Sequence, residues 1–107
     1  MTNPGLPLIT LQLRPTALED LAGLEHESRK AALKAIRVLR SLDMVGLRQH
    51  KGLNWEPLES LTDRTTGKPL WSFRLGSGAR ALCVLEANSV IIVATFKADH
   101  REAYRHW

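Results

Sequence analysis

The sequence has one cysteine, Cys83, and one tyrosine, Tyr104. A single cysteine excludes an intrachain disulfide, and the apolar residues around it favour a small buried side chain over a nucleophile. No group of histidine, cysteine or carboxylate residues has the spacing of metal ligands, so we expect neither a metal nor another cofactor.

Long apolar runs are also absent, and none approaches the roughly 18–20 residues that a membrane-spanning helix needs. Residues 1–7 lack the charged start and apolar core of a secretory signal. We therefore expect a soluble, cytoplasmic protein that does not bind membranes. With 107 residues, 44% of them hydrophobic, the chain can bury one modest core, and residues 1–107 are expected to form a single domain.

Acidic residues are scarce in the C-terminal part of the chain. Residues 1–63 hold eight Lys/Arg and eight Asp/Glu, whereas residues 64–107 hold seven Lys/Arg and three Asp/Glu. The net charge of +4 therefore belongs to the second part. A basic region of this kind attracts polyanions, either nucleic acid or an acidic protein segment.

The N-terminal half predicts one strand and two helices. Leu8 to Arg14 alternates between apolar and polar residues, as a strand with one buried face does. Thr16 followed by Glu19 has the spacing of a helix-capping box, and residues 27–42 show an apolar stripe with helical period. The two helices are expected to form a hairpin that covers the apolar face of a sheet.

The stretch from Met44 to Gly67 is the least regular and is interpreted as a connecting region. Four of its apolar residues are spaced to pack inward, in a short helix or an irregular segment: Leu53, Trp55, Leu58 and Leu61. Arg64 and Lys68 either line the rim of a substrate groove or are mobile surface charges.

Leu70–Leu75 and Ala79–Glu86 are predicted to form a hairpin centred on Ser77. Arg74 and Arg80 then lie directly opposite each other on one face, and the other face is apolar. Like charges in this position are destabilising by about 0.2–1 kcal/mol unless an anion lies between them, and a phosphate would serve. Alternatively, both side chains extend into solvent or pair with Glu86 or Asp99, or a bulge shifts the register.

Val90 to Phe96 is a β-branched run that suits a central strand covered on both faces. Four residues able to contribute to chemistry follow it within eight positions and can converge with Arg74 and Arg80: Lys97, His100, Arg101 and Tyr104.

The order of these elements, with the run L-W-S-F-R-L-G-S-G-A-R-A-L-C at residues 70–83 and H-R-E-A-Y at residues 100–104, resembles the RelE/ParE superfamily of toxins from bacterial type II toxin–antitoxin systems. The resemblance covers almost the whole chain. It implies an α+β fold: a small four-stranded antiparallel sheet with a mixed edge, an N-terminal helical hairpin on one face, and a concave basic site on the other.

The resemblance also implies a choice of activities. RelE-like members are endoribonucleases that cut mRNA on the ribosome without a metal and inhibit translation. ParE-like members inhibit DNA gyrase, and similar domains occur as non-catalytic modules. A cognate antitoxin protein is the implied partner, together with mRNA and the ribosome for a RelE-like member.

Four residues match positions of the family's site. Arg80 matches the hairpin arginine, and Arg74 matches one of two basic residues on the preceding strand. Ser72 stands where the other basic residue is expected, and Lys97 could replace that charge. His100 and Tyr104 match a histidine and a tyrosine near the C-terminus of nuclease members.

The resemblance implies catalytic roles for Arg74, Arg80, His100 and Tyr104. The arginines would hold the scissile phosphate, and His100 would act as base or acid. Tyr104 would act as a base if cations lower its pKa, or its ring would stack on a nucleobase. The structural alternatives are a surface or helix-capping His100 and a Tyr104 that closes the core. Four further cations are expected to bind substrate: Lys97, Arg101, Lys68 and Arg64.

Overall fold

The computed structural model describes residues 5–76 and 78–97, which form five strands and three helices. In chain order these are β1 (Thr10–Leu13), α1 (Pro15–Gly23), α2 (His26–Arg40), α3 (Met44–Gln49), β2 (Glu56–Thr62), β3 (Pro69–Arg74), β4 (Arg80–Ala87) and β5 (Val90–Lys97). The predicted α+β class is confirmed. The sheet has five strands rather than four, and a third helix, α3, follows the two that were predicted.

All five strands form one sheet in the order β1-β5-β4-β3-β2. The edge strand β1 runs parallel to β5, and every other pair is antiparallel. The predicted mixed edge is therefore present. The β-branched run of residues 90–96 forms β5, an interior strand between β1 and β4.

The predicted hairpin forms with the predicted register. Arg74 lies opposite Arg80 across β3 and β4, and the backbone N–H of Leu75 donates to the carbonyl oxygen of Ala79. The connection needs Gly76 and Gly78, whose φ angles of 140° and 93° are strained for other residues.

The main core lies between the helices and one face of the sheet. Small and apolar residues of the three helices pack there against residues of β3, β4 and β5: Ala17, Ala32, Ala35, Leu39, Met44, Leu47, Phe73, Ala81, Cys83, Ile91 and Val93. We call this side of the sheet the helix face and the opposite side the open face. No helix of the described residues is long and apolar enough to cross a membrane.

Local capping explains where the helices differ from prediction. Pro15 begins α1, with Arg14 rather than Thr16 at the N-cap, because the Thr16 hydroxyl donates to the carbonyl oxygen of Ala94. Helix α3 was not predicted; it begins where the buried Asp43 carboxylate accepts from the N–H of Gly46 at 2.8 Å.

Strand β2 was also missed, because a bulge interrupts its apolar alternation. Its pairing with β3 shifts register between Pro57 and Thr62, and Ser60 there has a positive φ of 70°. On the open face, Leu58 packs with Leu70, Leu82 and Val84 in a second apolar cluster, and Leu61 packs against it. Leu58 and Leu61 thus pack inward as predicted, although from a strand.

An ion pair joins the two edges of the sheet. The guanidinium of Arg14, which follows β1, donates two hydrogen bonds of 2.7 Å to the carboxylate of Asp63, which follows β2. The four strand spacings between these edges amount to about 19 Å in a flat sheet, so the sheet curls and the turn after β2 folds across the open face. We call this turn, residues 63–68, the strap. Asp63 also accepts from the N–H and hydroxyl of Thr66, which fixes the shape of the strap.

We expect the Asp63→Asn variant to be less stable than the wild type by about 1–3 kcal/mol at pH 7, because the change leaves the Arg14 guanidinium without its carboxylate. The hydrogen bonds from Arg14 hold the pKa of Asp63 well below its ordinary value. The stabilisation is therefore complete above the unfolded-state pKa of about 3.9 and is lost as pH falls through the lower folded-state pKa. Urea unfolding between pH 2 and pH 7 measures the difference.

The matched control is Glu59→Gln, which removes an exposed carboxylate of β2. Its stability should differ from wild type by no more than about 0.5 kcal/mol at any pH. Equal stability losses for the two variants, or a loss for Asp63→Asn that is unchanged at pH 2, would contradict the role given to the strap.

Cys83 is fully buried and its thiol pKa is raised by that burial. Because the thiolate is the reactive form, Cys83 of the folded protein should resist thiol reagents and react only as fast as the protein unfolds. The measurement is the rate of labelling by an aromatic disulfide in the absence and presence of about 6 M urea, a concentration that unfolds most small domains. Rapid labelling of native protein would show that β4 opens locally.

Candidate functional site

Three cations lie in one cross-strand row on the open face. The register places Arg74 of β3 opposite Arg80 of β4, and Arg80 opposite Lys97 of β5. Side chains of directly paired residues point to the same face and have Cβ atoms about 4.5–5.5 Å apart. We call these residues the basic row. The convergence of Lys97 with both arginines, expected from the sequence, is therefore present.

The central cation of the row is buried and held by neutral and acidic partners. Arg80 is 3% exposed. Its Nε and Nη2 atoms donate to the hydroxyl of the buried Ser72 at 3.2 and 3.0 Å, and Nη2 also donates to Oε1 of Glu56 at 2.6 Å. Glu56 lies opposite Ser72 in the β2–β3 ladder, which explains the contact. The guanidinium plane of Arg80 is thus fixed before any ligand binds.

The outer cations of the row differ from Arg80. Arg74 is exposed and Lys97 is half-buried. Neither forms an ion pair with any residue in the described ranges 5–76 and 78–97, where the ion pairs are Arg14–Asp63 and Arg80–Glu56. Two positive charges therefore flank a neutralised centre, and an anion placed over the row would relieve their repulsion.

The remaining predicted cations separate into two places. Arg64, on the strap, lines a cleft of about 570 Å³ to which Lys97 also contributes. Lys68 lies apart, because its Nζ donates to the backbone oxygen of Glu86 at the far end of β4 from Arg80. Six residues of strand correspond to about 20 Å, so Lys68 does not share the site of the basic row.

His100, Arg101 and Tyr104 lie outside the described residues, and their predicted roles stay predictions. Within the described residues, no three His, Cys, Asp or Glu side chains are grouped so that they could hold a metal ion.

Glu56 was not predicted from the sequence. The expected partners of the arginines were solvent, a phosphate, Glu86 or Asp99, whereas the partner of Arg80 comes from a strand that was not predicted. One signal for such a partner was available in the sequence. Ser72, on the same face as Arg80, offers only a neutral hydroxyl, so a buried Arg80 would also need a carboxylate from a neighbouring strand.

Comparison with known proteins gives a fold but no sequence relative. No protein-family model matches the chain, and no curated protein matches its sequence. Several solved structures resemble it, among them the following three. A chain of the archaeal RelE–RelB complex from Pyrococcus horikoshii is 17% identical with a TM-score of 0.59, over 85% of this chain and 94% of that one.

The other two structures are also toxins. The YoeB dimer from Staphylococcus aureus is 20% identical with a TM-score of 0.52, over 85% of this chain and 97% of that one. A copper-bound mutant toxin from Helicobacter pylori is 14% identical with a TM-score of 0.51, over 92% of this chain and all of that one. The chain therefore has the RelE/YoeB-type toxin fold, as the resemblance implied. At such low identity its chemistry has to follow from its own residues.

The Glu56→Gln variant should lose about 1–3 kcal/mol of stability, because the buried Arg80 charge keeps only a neutral acceptor in place of a carboxylate. Chemical denaturation at pH 7 measures the loss, and Glu59→Gln on the same strand is the matched control. In a double-mutant cycle, Glu56→Gln should cost little when Arg80 is already replaced by Met. Independent, additive losses would show that the ion pair contributes nothing to stability.

Proposed function

We propose that residues 1–107 form one toxin domain of a type II toxin–antitoxin system and that the domain is an endoribonuclease acting on mRNA. The observation that carries the proposal is the basic row on the open face of a RelE/YoeB-type fold, with its central arginine immobilised by Glu56 and Ser72. A preoriented arginine between two cations without described ion-pair partners suits a phosphodiester.

Cleavage of RNA without a metal needs three contributions. A base removes the proton of the 2′-hydroxyl, cations stabilise the negative charge of the pentacoordinate phosphorus, and an acid protonates the departing 5′-oxygen. The new bond joins the 2′-oxygen to phosphorus and the broken bond is that from phosphorus to the 5′-oxygen. We assign the cations to Arg74, Arg80 and Lys97, and keep His100 and Tyr104 as candidates for proton transfer.

Glu56 adds a fourth candidate for proton transfer. Its side chain is 42% exposed, and one carboxylate oxygen lies 2.6 Å from the Arg80 guanidinium. A phosphate bound by Arg80 would therefore come within reach of this carboxylate. In its ionised form it can accept the 2′-hydroxyl proton. Glu56 would then both orient the arginine and act as general base.

The proposed partners follow from the same surface. The RelE structure that this fold matches was solved in complex with RelB. We propose that an antitoxin binds this chain with an acidic or amphipathic segment over Arg74 and Lys97, so that binding weakens as salt rises. Free of antitoxin, the toxin would act in the cytoplasm on mRNA at the ribosome and stop translation.

Induced expression in a bacterial host tests the activity. Wild-type protein should arrest growth and create new mRNA 5′ ends, and Arg74→Ala should reduce both effects by about tenfold or more, since it removes an exposed phosphate-binding cation at little cost in stability. Sequencing of mRNA ends provides the measurement.

The control is Arg37→Ala, which removes an exposed arginine of α2 and should leave growth arrest unchanged. Two outcomes would contradict the proposal. Altered DNA supercoiling with intact mRNA would indicate a gyrase inhibitor, whose activity should also survive His100→Ala. Expression without any effect on growth or mRNA would indicate a non-catalytic binding module.

A further inference from the structure

The cleft beside the basic row has features that binding of a single phosphate does not use. Its volume of about 570 Å³ lies within the range of roughly 300–1,000 Å³ typical of small-molecule sites. The start of α1, the end of β5 and the strap form its walls, with these lining residues: Arg14, Pro15, Thr16, Asp20, Asp63, Arg64, Thr65, Ala94, Thr95 and Lys97. The cleft thus lies where three segments distant in sequence meet.

Lys97 connects the cleft to the basic row. It lines the cleft and is also the cross-strand neighbour of Arg80. When a phosphate of a nucleic acid lies over the basic row, the next nucleotide of that strand therefore lies at the mouth of the cleft. Arg64 supplies a second cation there, exposed and without an ion-pair partner among the described residues. Two cations around an opening favour a second phosphate.

The strap holds Arg64 and Thr65 in position. Both residues follow directly after Asp63, which is 1% exposed and bonded to Arg14 and to Thr66. The wall of the cleft that carries Arg64 is therefore fixed at its base, which lowers the entropy lost when a ligand binds.

The interior of the cleft carries a carboxylate, which argues against a bare anion as the ligand. Asp20 accepts with Oδ2 from the hydroxyl of Thr95 and from the backbone N–H of Phe96. Its other oxygen, Oδ1, has no described hydrogen-bond donor. An ionised carboxylate only accepts hydrogen bonds, so it suits a ligand group that donates them. Adenine, cytosine and guanine carry an exocyclic amino group, and uracil carries none.

We propose that this cleft binds the nucleotide adjoining the scissile phosphate, with Arg64 and Lys97 on its phosphate and Asp20 on the amino group of its base. The inference rests on the proposed nuclease function and adds a specificity site to it. Asp20 selects nucleotides whose base has an amino group over uridine. Thr16 and Thr65 lie on the same walls and provide hydroxyls for the ribose.

Titration of the isotopically labelled full chain with AMP, CMP, GMP and UMP, followed by amide NMR, tests the site. The first three should shift the amides of Arg64, Thr65, Thr95 and Lys97 with saturation, and UMP should bind about three- to tenfold more weakly, the effect of one hydrogen bond. Equal binding of all four nucleotides, or shifts elsewhere in the protein, would overturn the inference.

Two variants separate the contributions. Arg64→Ala should weaken binding of all nucleotides by about three- to tenfold, whereas Arg37→Ala on α2 should change nothing. Asp20→Asn keeps an oxygen for Thr95 but turns an amide N–H₂ toward the base, so it should lower or reverse the preference against UMP. Indistinguishable results for Arg64→Ala and Arg37→Ala, or an unchanged preference in Asp20→Asn, would contradict the assignment.

The test distinguishes failure of this inference from failure of the proposed function. Nucleotide binding in the cleft by a chain that never cleaves RNA would leave the site valid and overturn the nuclease proposal, and with it the assignment to a scissile phosphate. Cleavage whose sequence preference is the same in wild type and Asp20→Asn would leave the nuclease and overturn the site.

Discussion

The site depends on one buried charge. Arg80 is almost fully removed from solvent at the end of a central strand, and a guanidinium in that position is costly unless hydrogen-bond acceptors surround it. Glu56 and Ser72 provide those acceptors from the two strands beyond β4. Their placement fixes the direction of the guanidinium. It also explains why a serine occupies position 72: a fourth cation there would repel Arg80 and take away an acceptor.

The rest of the fold leaves the basic row uncovered and covers the remainder of the open face. The helices bury the opposite face, so the row of cations stays free of helical cover. The bulged β2 and the strap cover the remainder of the open face with a small apolar cluster and the Arg14–Asp63 ion pair. The proposed anion-binding surface thus lies between a rigid wall and an exposed edge, where low dielectric on one side strengthens the field of the cations.

The sequence predicted the parts that depend on local pattern. The alternation on both arms of residues 70–86 and the Gly76–Gly78 connection were enough to place Arg74 opposite Arg80, and the β-branched run identified β5. Strand β2 was missed because Pro57 and the bulge at Ser60 interrupt its alternation. Glu56 was missed with it. The strap could not be predicted from the sequence either, since the Arg14–Asp63 pair joins residues 49 positions apart and no local pattern encodes such a contact.

The chemistry of the RNA ends tests the central claim most directly. Purified protein, incubated with ribosomes and mRNA, is predicted to leave 2′,3′-cyclic phosphate or 3′-phosphate ends and 5′-hydroxyl ends, identified by mass spectrometry. Arg80→Lys, which keeps the charge but loses the fixed guanidinium plane, should yield far fewer of them. Ends with 5′-phosphate, or equal yields from wild type and Arg80→Lys, would contradict a scissile phosphate held by the basic row.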